Sequence, residues 1–360
     1  MTSILEIRNL QFEYEAGGDS SIYVESLKVA EGGLLALLGS SGAGKTTILR
    51  LISGLLHQNH GSIKLGGVEI SNYDSAEREI GMVFQQPMLF PFLDVIGNVA
   101  FPLKLKGGSK AQARKKAIEY LELVGMEQFA NREICAISGG QAQRIALARA
   151  LAASPRLLLL DEPFAALDVD VRSEMQELVG YLRRELGLSM ILVTHDQREA
   201  GLLADHVALL QDGKILQQGS ISDLYRRPKS IQVFRAMGGT NEVLGYLRDG
   251  YFFSNFGKLE ANHLDTVEGA AVLTFRQETP AIRRMGELKL QGLFGKVLRT
   301  RVIGYRQEIS VEVNSEQLRI EVNSDSHYRP GDEIEIELDL AACNIIPLAQ
   351  SIHLKSLLYV

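Results

Sequence analysis

Cysteine is scarce: Cys135 and Cys343 are the only two in 360 residues. Their separation offers no metal-knuckle spacing, and lone thiols suit a reducing cytosol better than a disulfide-stapled secreted domain. Long apolar runs are missing too. No window reaches the roughly 18 apolar residues that a membrane-spanning helix needs. The densest runs, residues 34–38 and 157–160, have the length of buried strands. The N-terminus, MTSILEIRNL, has no basic stretch ahead of an apolar core, so no secretory signal is expected. Positive charge is not in excess either: Lys and Arg total 38 against 44 Asp and Glu, a net charge of −6. That balance argues against bulk binding to nucleic acid or anionic lipid. Internal repeats and low-complexity tracts are absent. The remainder, 46% hydrophobic and 23% charged, is ordinary globular composition, and the length suggests two domains or three. An integral membrane protein, a disulfide scaffold and a secreted domain are thereby excluded.

Glycine, by contrast, is plentiful and clustered. Gly39-Ser40-Ser41-Gly42-Ala43-Gly44 follows the apolar strand at 34–38. After it, Ile48, Leu49, Ile52 and Leu55 recur at helical spacing. Strand, glycine loop and helix together begin a nucleotide-binding α/β unit. With Lys45 and Thr46 added, the loop is of the Walker A type. Its glycines permit the turns that aim backbone N–H groups at an anion, and the positive end of the following helix reinforces them. Lys45 is placed to reach the β- and γ-phosphates, and the Thr46 hydroxyl to ligate Mg²⁺.

A second signal is the run 157–160 followed by Asp161-Glu162-Pro163. An apolar strand ending in two carboxylates holds both rigidly at the carboxyl edge of a parallel sheet, where ligands bind. Asp161 suits Mg²⁺, directly or through water, and Glu162 suits the general base for an attacking water. Between the two signals, residues 109–125 read as a helix. Ser109 is its N-cap, Ala113, Ala117, Leu121 and Val124 form its apolar stripe, and Gly125 stops it. Another helix follows Gly139-Gly140, with Ile145, Ala148 and Leu151 on one face. A further helix is predicted over 171–186 and a strand over 190–193.

The texture changes near 228–240. Beyond it, Ile309, Val311 and Val313 alternate with polar residues, as do Leu318, Ile320 and Val322 across a turn at 314–317. Ile334, Ile336 and Leu338 continue the pattern. Period-two runs at short spacing predict a small antiparallel β-barrel or sandwich. The domains expected are therefore 1–238 and 239–360.

Ser138-Gly139-Gly140-Gln141, continued by Gln143-Arg144-Ile145-Ala146-Leu147-Ala148-Arg149-Ala150-Leu151, resembles the signature motif of the ABC ATPases. Gln85 in Val83-Phe84-Gln85 resembles that family's Q-loop glutamine. Asp168 in Ala166-Leu167-Asp168 resembles the D-loop, and His195 in Val193-Thr194-His195-Asp196 the switch histidine. Tyr14 stands where the family places an aromatic against adenine, with nearby Phe12 a competitor. The motifs run in the family's order from about residue 4 to 225. The resemblance implies a P-loop cassette with a RecA-like core, a helical subdomain over about 88–156, and a C-terminal all-β domain of the OB/TOBE kind.

It also implies ATP and Mg²⁺ as ligands. The nucleotide would lie on Tyr14, Gly39, Ser40, Ser41, Gly42, Ala43, Gly44, Lys45, Thr46 and Thr47. Ser138, Gly139, Gly140, Gln141 and Asp168 would face the nucleotide of a second chain, in a head-to-tail homodimer. Glu162, His195, Lys45 and Gln85 would carry hydrolysis, and Thr46, Gln85 and Asp161 the metal. The segment 85–101, with Met88, Leu89, Phe90 and Phe92, would meet a separate transmembrane permease fed by an external solute-binding protein. The chain would be peripheral, at the cytoplasmic face of the inner membrane, without a nucleic-acid partner. Departures from the family pattern are Ile137, Ala165, Phe92 and Phe275-Arg276-Gln277-Glu278. The layout of the last strands is most similar to ferric-ion importer ATPases. Sulfate, polyamine, molybdate or sugar importers are alternatives, and a non-transport ABC ATPase is a further one.

Overall fold

The protein's computed structural model describes residues 2–14, 21–261, 268–284 and 292–348; the end of the expected C-terminal domain, 349–360, lies outside them. The chain divides into two units, Met1–Ile221 and Ser222–Val360. The division precedes the texture change at 238 for a local reason. The Arg276 guanidinium stacks on the Tyr225 ring at 3.8 Å and donates to the carbonyls of Tyr225 and Met237. It thereby ties 222–238 to the β-rich part.

In the first unit the described strands form one ten-stranded sheet. They are β1 (Ser3–Glu13), β2 (Ser21–Ala30), β3 (Leu34–Leu38), β4 (His60–Leu65), β5 (Val68–Glu69), β6 (Ile80–Val83), β7 (Leu157–Asp161), β8 (Ser189–Thr194), β9 (His206–Gln211) and β10 (Lys214–Gly219). Their order is β5-β4-β1-β2-β10-β9-β3-β8-β7-β6. The half containing β3, β8, β7 and β6 is parallel, and β1, β2 and β4 pair antiparallel. The continuous apolar runs mark strands covered on both faces. Leu157 and Leu159 join one core with α1 (Lys45–Ser53), while Leu158 and Leu160 join the other. That second core is built by α2 (Val95–Leu105), α3 (Lys110–Leu123), α4 (Gly139–Ala152) and α5 (Val169–Leu186). The period of two in a strand sends alternate leucines to opposite layers. A short helix, α6 (Gln197–Leu203), comes after β8.

Several sequence readings meet their structural cause here. Ser109 caps α3 in a reciprocal capping box with Gln112, and Ala113, Ala117, Leu121 and Val124 are buried. Leu55 is not part of the α1 stripe: Gly54 ends that helix in the left-handed conformation, and Leu55 is exposed. The carbonyls at the end of α1 accept from Arg78, a fully buried guanidinium that donates to Leu51 and Ile52 at 2.7 and 3.0 Å. No helix among the described residues is long and apolar enough to cross a membrane.

Among the described residues the second unit is all-β apart from the short helices α7 (Ile221–Arg226), which begins at the boundary, and α8 (Ile231–Ala236), and two single 3-10 turns at Ser324–Ser326 and Leu340–Ala342. Its described strands form two five-stranded antiparallel sheets over one core that includes Phe252, Phe275, Ile309, Val311, Ile320 and Ile336. The alternation at 306–323 is a hairpin of Arg306–Val313 with Glu316–Asn323. Its turn is two residues, Asn314 and Ser315, both with positive φ, so the second strand begins earlier than the 314–317 turn suggested. Cys343 is buried in this core, and burial pushes its thiol up to about 12; Cys135 is exposed. A thiol-reactive dye is therefore expected to label Cys135 alone in the native protein and Cys343 only after denaturation. Labelling with and without urea, read by mass spectrometry, checks this.

Candidate active site

Three neighbouring parallel strands bring the separate motifs to one edge. The register pairs Leu38 of β3 with Thr194 of β8, and Asp161 of β7 with Val193 of β8. The glycine loop after β3, Glu162 after β7 and His195 after β8 must therefore emerge side by side.

The glycine loop needs its glycines in particular ways. Gly42 and Gly44 hold φ of 81° and 100°. At Gly39 a Cβ would lie 2.3 Å from the Leu210 carbonyl oxygen, so the backbone approaches β9 too closely for any side chain. Lys45, at the first turn of α1, is buried. Its Nζ donates to the carbonyls of Gly39 and Ser40, each at 2.9 Å, and lies 3.8 Å from Glu162 Oε1. Burial lowers the Lys45 pKa, and the carboxylates of Glu162 and Asp161 oppose that shift. Thr46 Oγ1 donates to Asp161 Oδ1 at 3.0 Å. Burial raises the Asp161 pKa against that bond. A hydroxyl and a buried carboxylate at hydrogen-bond distance are hard oxygen donors of the kind Mg²⁺ takes. The residues present thus fit that ion.

Glu162 leaves its strand with φ 43°, and its N–H donates to the Val193 carbonyl at 3.0 Å. Its second carboxylate oxygen lies 3.6 Å from His195 Nδ1. Glu162 therefore sits between Lys45 and His195, less than a quarter exposed. A cavity of ≈ 520 Å³ opens beside it, lined by Tyr14, Gly42, Lys45, Thr46, Gln85 and Glu162, among others. Tyr14 is well exposed on that cavity, and its hydroxyl lies 3.1 Å from Thr47 Oγ1. Phe12 is buried, edge-on to Tyr14 at 4.7 Å, and does not line the cavity.

The cavity also has a wall that the motif reading misses, Ser21 and Ile22 of β2 with Asp212 and Gly213. Asp212-Gly213 is a two-residue turn between β9 and β10, both residues at positive φ. The Gly213 N–H donates to the Ala43 carbonyl at 3.1 Å, bracing the phosphate loop from behind. The Asp-Gly pair between apolar strands is a hairpin signal that could have revealed it.

The signature residues form a different place. Ser138 caps α4 through a capping box with Gln141. A Cβ on Gly140 would meet Val171 Cγ1 at 2.5 Å, so the helix start packs directly on α5. Ser138, Gly139, Gly140, Gln141 and Asp168 line a cleft of ≈ 570 Å³, which shares no lining residue with the first cavity. A helix start is a ready anion site, and within one chain it has no part in the Lys45 cavity.

Gln85 is exposed on the Lys45 cavity. The carbonyl just before it, of Phe84, accepts from buried Gln143 at 3.2 Å. Arg149 then donates to the carbonyls of Pro87 and Met88 at 3.0 and 2.8 Å. Leu89 packs on the helical core, and the Phe90 ring packs at a tilt against Phe101, 4.7 Å between centroids. Met88 and Phe92 are 62% and 77% exposed, so only these two of the four apolar residues stand out from the loop.

Residues 24–165 match the family model described as ABC transporter. The chain is similar to the spermidine/putrescine import ATP-binding protein PotA of Borrelia garinii subsp. bavariensis, 36% identical over 339 residues, covering 93% of this chain and 96% of that protein. It is similar to the protein of the same name from Spiroplasma citri, 34% identical over 353 residues and covering 96% and 98%. The one from Roseobacter denitrificans is 44% identical over 248 residues, 68% of each chain. Among solved structures it resembles a dimeric post-hydrolysis state of the ATP-binding cassette MJ0796 bound to ADP and Pi. That likeness has a TM-score of 0.55 and 33% identity, over 60% of this chain and 98% of that one.

Proposed function

The chain belongs to the ABC transporter family, as an ATP-hydrolysing subunit of an importer, and on that premise we propose that its solute is a polyamine. The observation that carries the ATPase reading is the placement of Glu162 between Lys45 and His195, at 3.8 and 3.6 Å, on the edge of one cavity. The polyamine reading rests on the names of relatives aligned over nearly the whole chain. The ferric-ion expectation has no support among them, so the polyamine alternative takes its place.

In this reading the loop N–H groups from Gly39 to Thr47 and the start of α1 receive the phosphates, and Lys45 meets their charge. Thr46, Asp161 and Gln85 would hold Mg²⁺, which would supply positive charge against the phosphate oxygens. Tyr14 stacks on the adenine, its ring steadied by Thr47. Glu162 takes the proton of the attacking water, and His195 orients that water. Ser138, Gly139, Gly140 and Gln141, bordered by Asp168, cover the nucleotide of a second copy. The separation of the two cavities within one chain supports this sharing. ATP then favours the closed pair through its higher affinity for that state, and hydrolysis releases it.

The ATPase domain, expected over 1–238, ends with the first unit at Ile221 and has its helical part over about 88–156; the unit that follows regulates or dimerises. Met88 and Phe92 meet the permease at the cytoplasmic face of the inner membrane, and an external binding protein delivers the solute to that permease. The test is uptake of radiolabelled spermidine and putrescine by cells expressing this chain with its cognate permease and binding protein. Uptake is expected with the native chain and its loss with Lys45→Ala. Uptake of ferric ion with polyamine at background overturns the polyamine reading.

A further inference from the structure

A buried carboxylate that no motif includes lies behind the switch histidine. Glu199, on the short helix α6, is 7% exposed. Its Oε2 accepts from Thr194 Oγ1 at 2.5 Å, and its Oε1 accepts from Gln176 Nε2 of α5 at 3.5 Å. The same Thr194 hydroxyl oxygen accepts from the Asp196 N–H at 3.0 Å. The residues immediately before and after His195 are therefore both fastened to one hydroxyl, and that hydroxyl is oriented by Glu199. With its proton committed to the carboxylate, Thr194 Oγ1 presents its lone pairs to the backbone. The His195 ring is mostly exposed, and Nδ1 lies 3.6 Å from Glu162. Its direction is thus set by its backbone and not by packing of its ring.

Burying a carboxylate here has a cost: burial raises the Glu199 pKa, and the Thr194 bond opposes that shift. Apolar packing would close the end of β8 more cheaply. α5 contributes more than Gln176. Arg172 donates to the Leu167 carbonyl, beside Asp168, at 3.0 Å, and its charge favours the ionised form of Glu199. The segment that borders the signature cleft and the segment that carries the switch histidine thus share one partly buried polar cluster.

We infer that Glu199 and Thr194 are positioning residues for hydrolysis: together they fix the backbone around His195 so that its ring faces Glu162. This inference rests on the ATPase reading of the site. Neither side chain touches the nucleotide cavity, so ATP binding does not depend on them.

The test is a double-mutant cycle on ATP hydrolysis by the full chain. Thr194→Val keeps the shape and removes the hydroxyl. It is expected to lower kcat on the order of ten- to a hundredfold, with KM for ATP unchanged within about twofold. Thr194→Ser restores the hydroxyl and is expected to recover kcat to within about threefold of native. Glu199→Gln, which can still accept from Thr194, is expected to fall between them. In a His195→Ala background, Thr194→Val is expected to cost nothing further, because the two residues act through one ring. Loss of equal size in both backgrounds, or a folded Thr194→Val chain with native kcat, overturns the inference. A His195→Ala chain with native kcat instead overturns the reading of the site on which it rests.

Discussion

Glu162→Gln is expected to lower ATP turnover about a thousandfold and leave nucleotide binding intact. The substitution keeps the side chain's size at a residue held at φ 43° by the Val193 carbonyl, so the local fold survives. What it removes is the carboxylate able to take a proton from water beside Lys45 and His195. General-base catalysis is worth roughly 10² to 10⁴ in rate. The amide also removes a negative charge 3.8 Å from the Lys45 ammonium. An incoming triphosphate then meets less repulsion, so ATP is expected to bind at least as tightly. Binding without cleavage should hold the closed pair together. Steady-state turnover and size-exclusion chromatography with and without ATP measure both consequences. Turnover within tenfold of native would remove Glu162 from the role of base.

The second large effect concerns the sharing of sites between copies. Lys45→Ala removes the buried ammonium that gathers the Gly39 and Ser40 carbonyls. Ser138→Arg blocks an exposed helix start and forfeits its cap, about 1 kcal/mol of stability. Each chain alone is expected to be nearly inactive. Mixed together, they form some pairs in which the intact loop of one copy faces the intact signature of the other. Activity is therefore expected to rise on the order of tenfold over either chain alone. If mixing restores nothing, the signature cleft does not complete a neighbour's site.

The phosphate loop could be read from the chain because its parts are contiguous. Glycines at 39, 42 and 44, the lysine and the threonine act through backbone within a few residues, and local conformation decides the outcome. The apolar runs of β3, β7 and β8 were legible for a similar reason: a strand covered on both faces needs hydrophobic residues at every position. The Ser109 and Ser138 caps likewise follow from side chains reaching their own helix.

Sequence was silent where distant segments meet. The Asp212-Gly213 turn had a local hairpin signal, but its meeting with Ser21 and Ile22 depends on β10 lying between β2 and β9, the neighbour of β3, and no local pattern states that order. Leu55 continued a helical spacing until the left-handed Gly54 ended the helix. Leu89 and Phe90 looked as available as Met88 and Phe92 until Arg149 and Asn98 folded the loop inward.

From the chain alone came a phosphate loop and two strand-end carboxylates, read from short-range backbone rules, and a histidine and a signature, read from their resemblance to the ABC ATPases. Only the tertiary structure decided that Glu162 stands between Lys45 and His195, and that Thr194 and Glu199 hold the latter's backbone. The reason is that parallel pairing, a long-range event, sets which strand ends share an edge. A register of Leu38 with Thr194 and Asp161 with Val193 turns three separate motifs into one site.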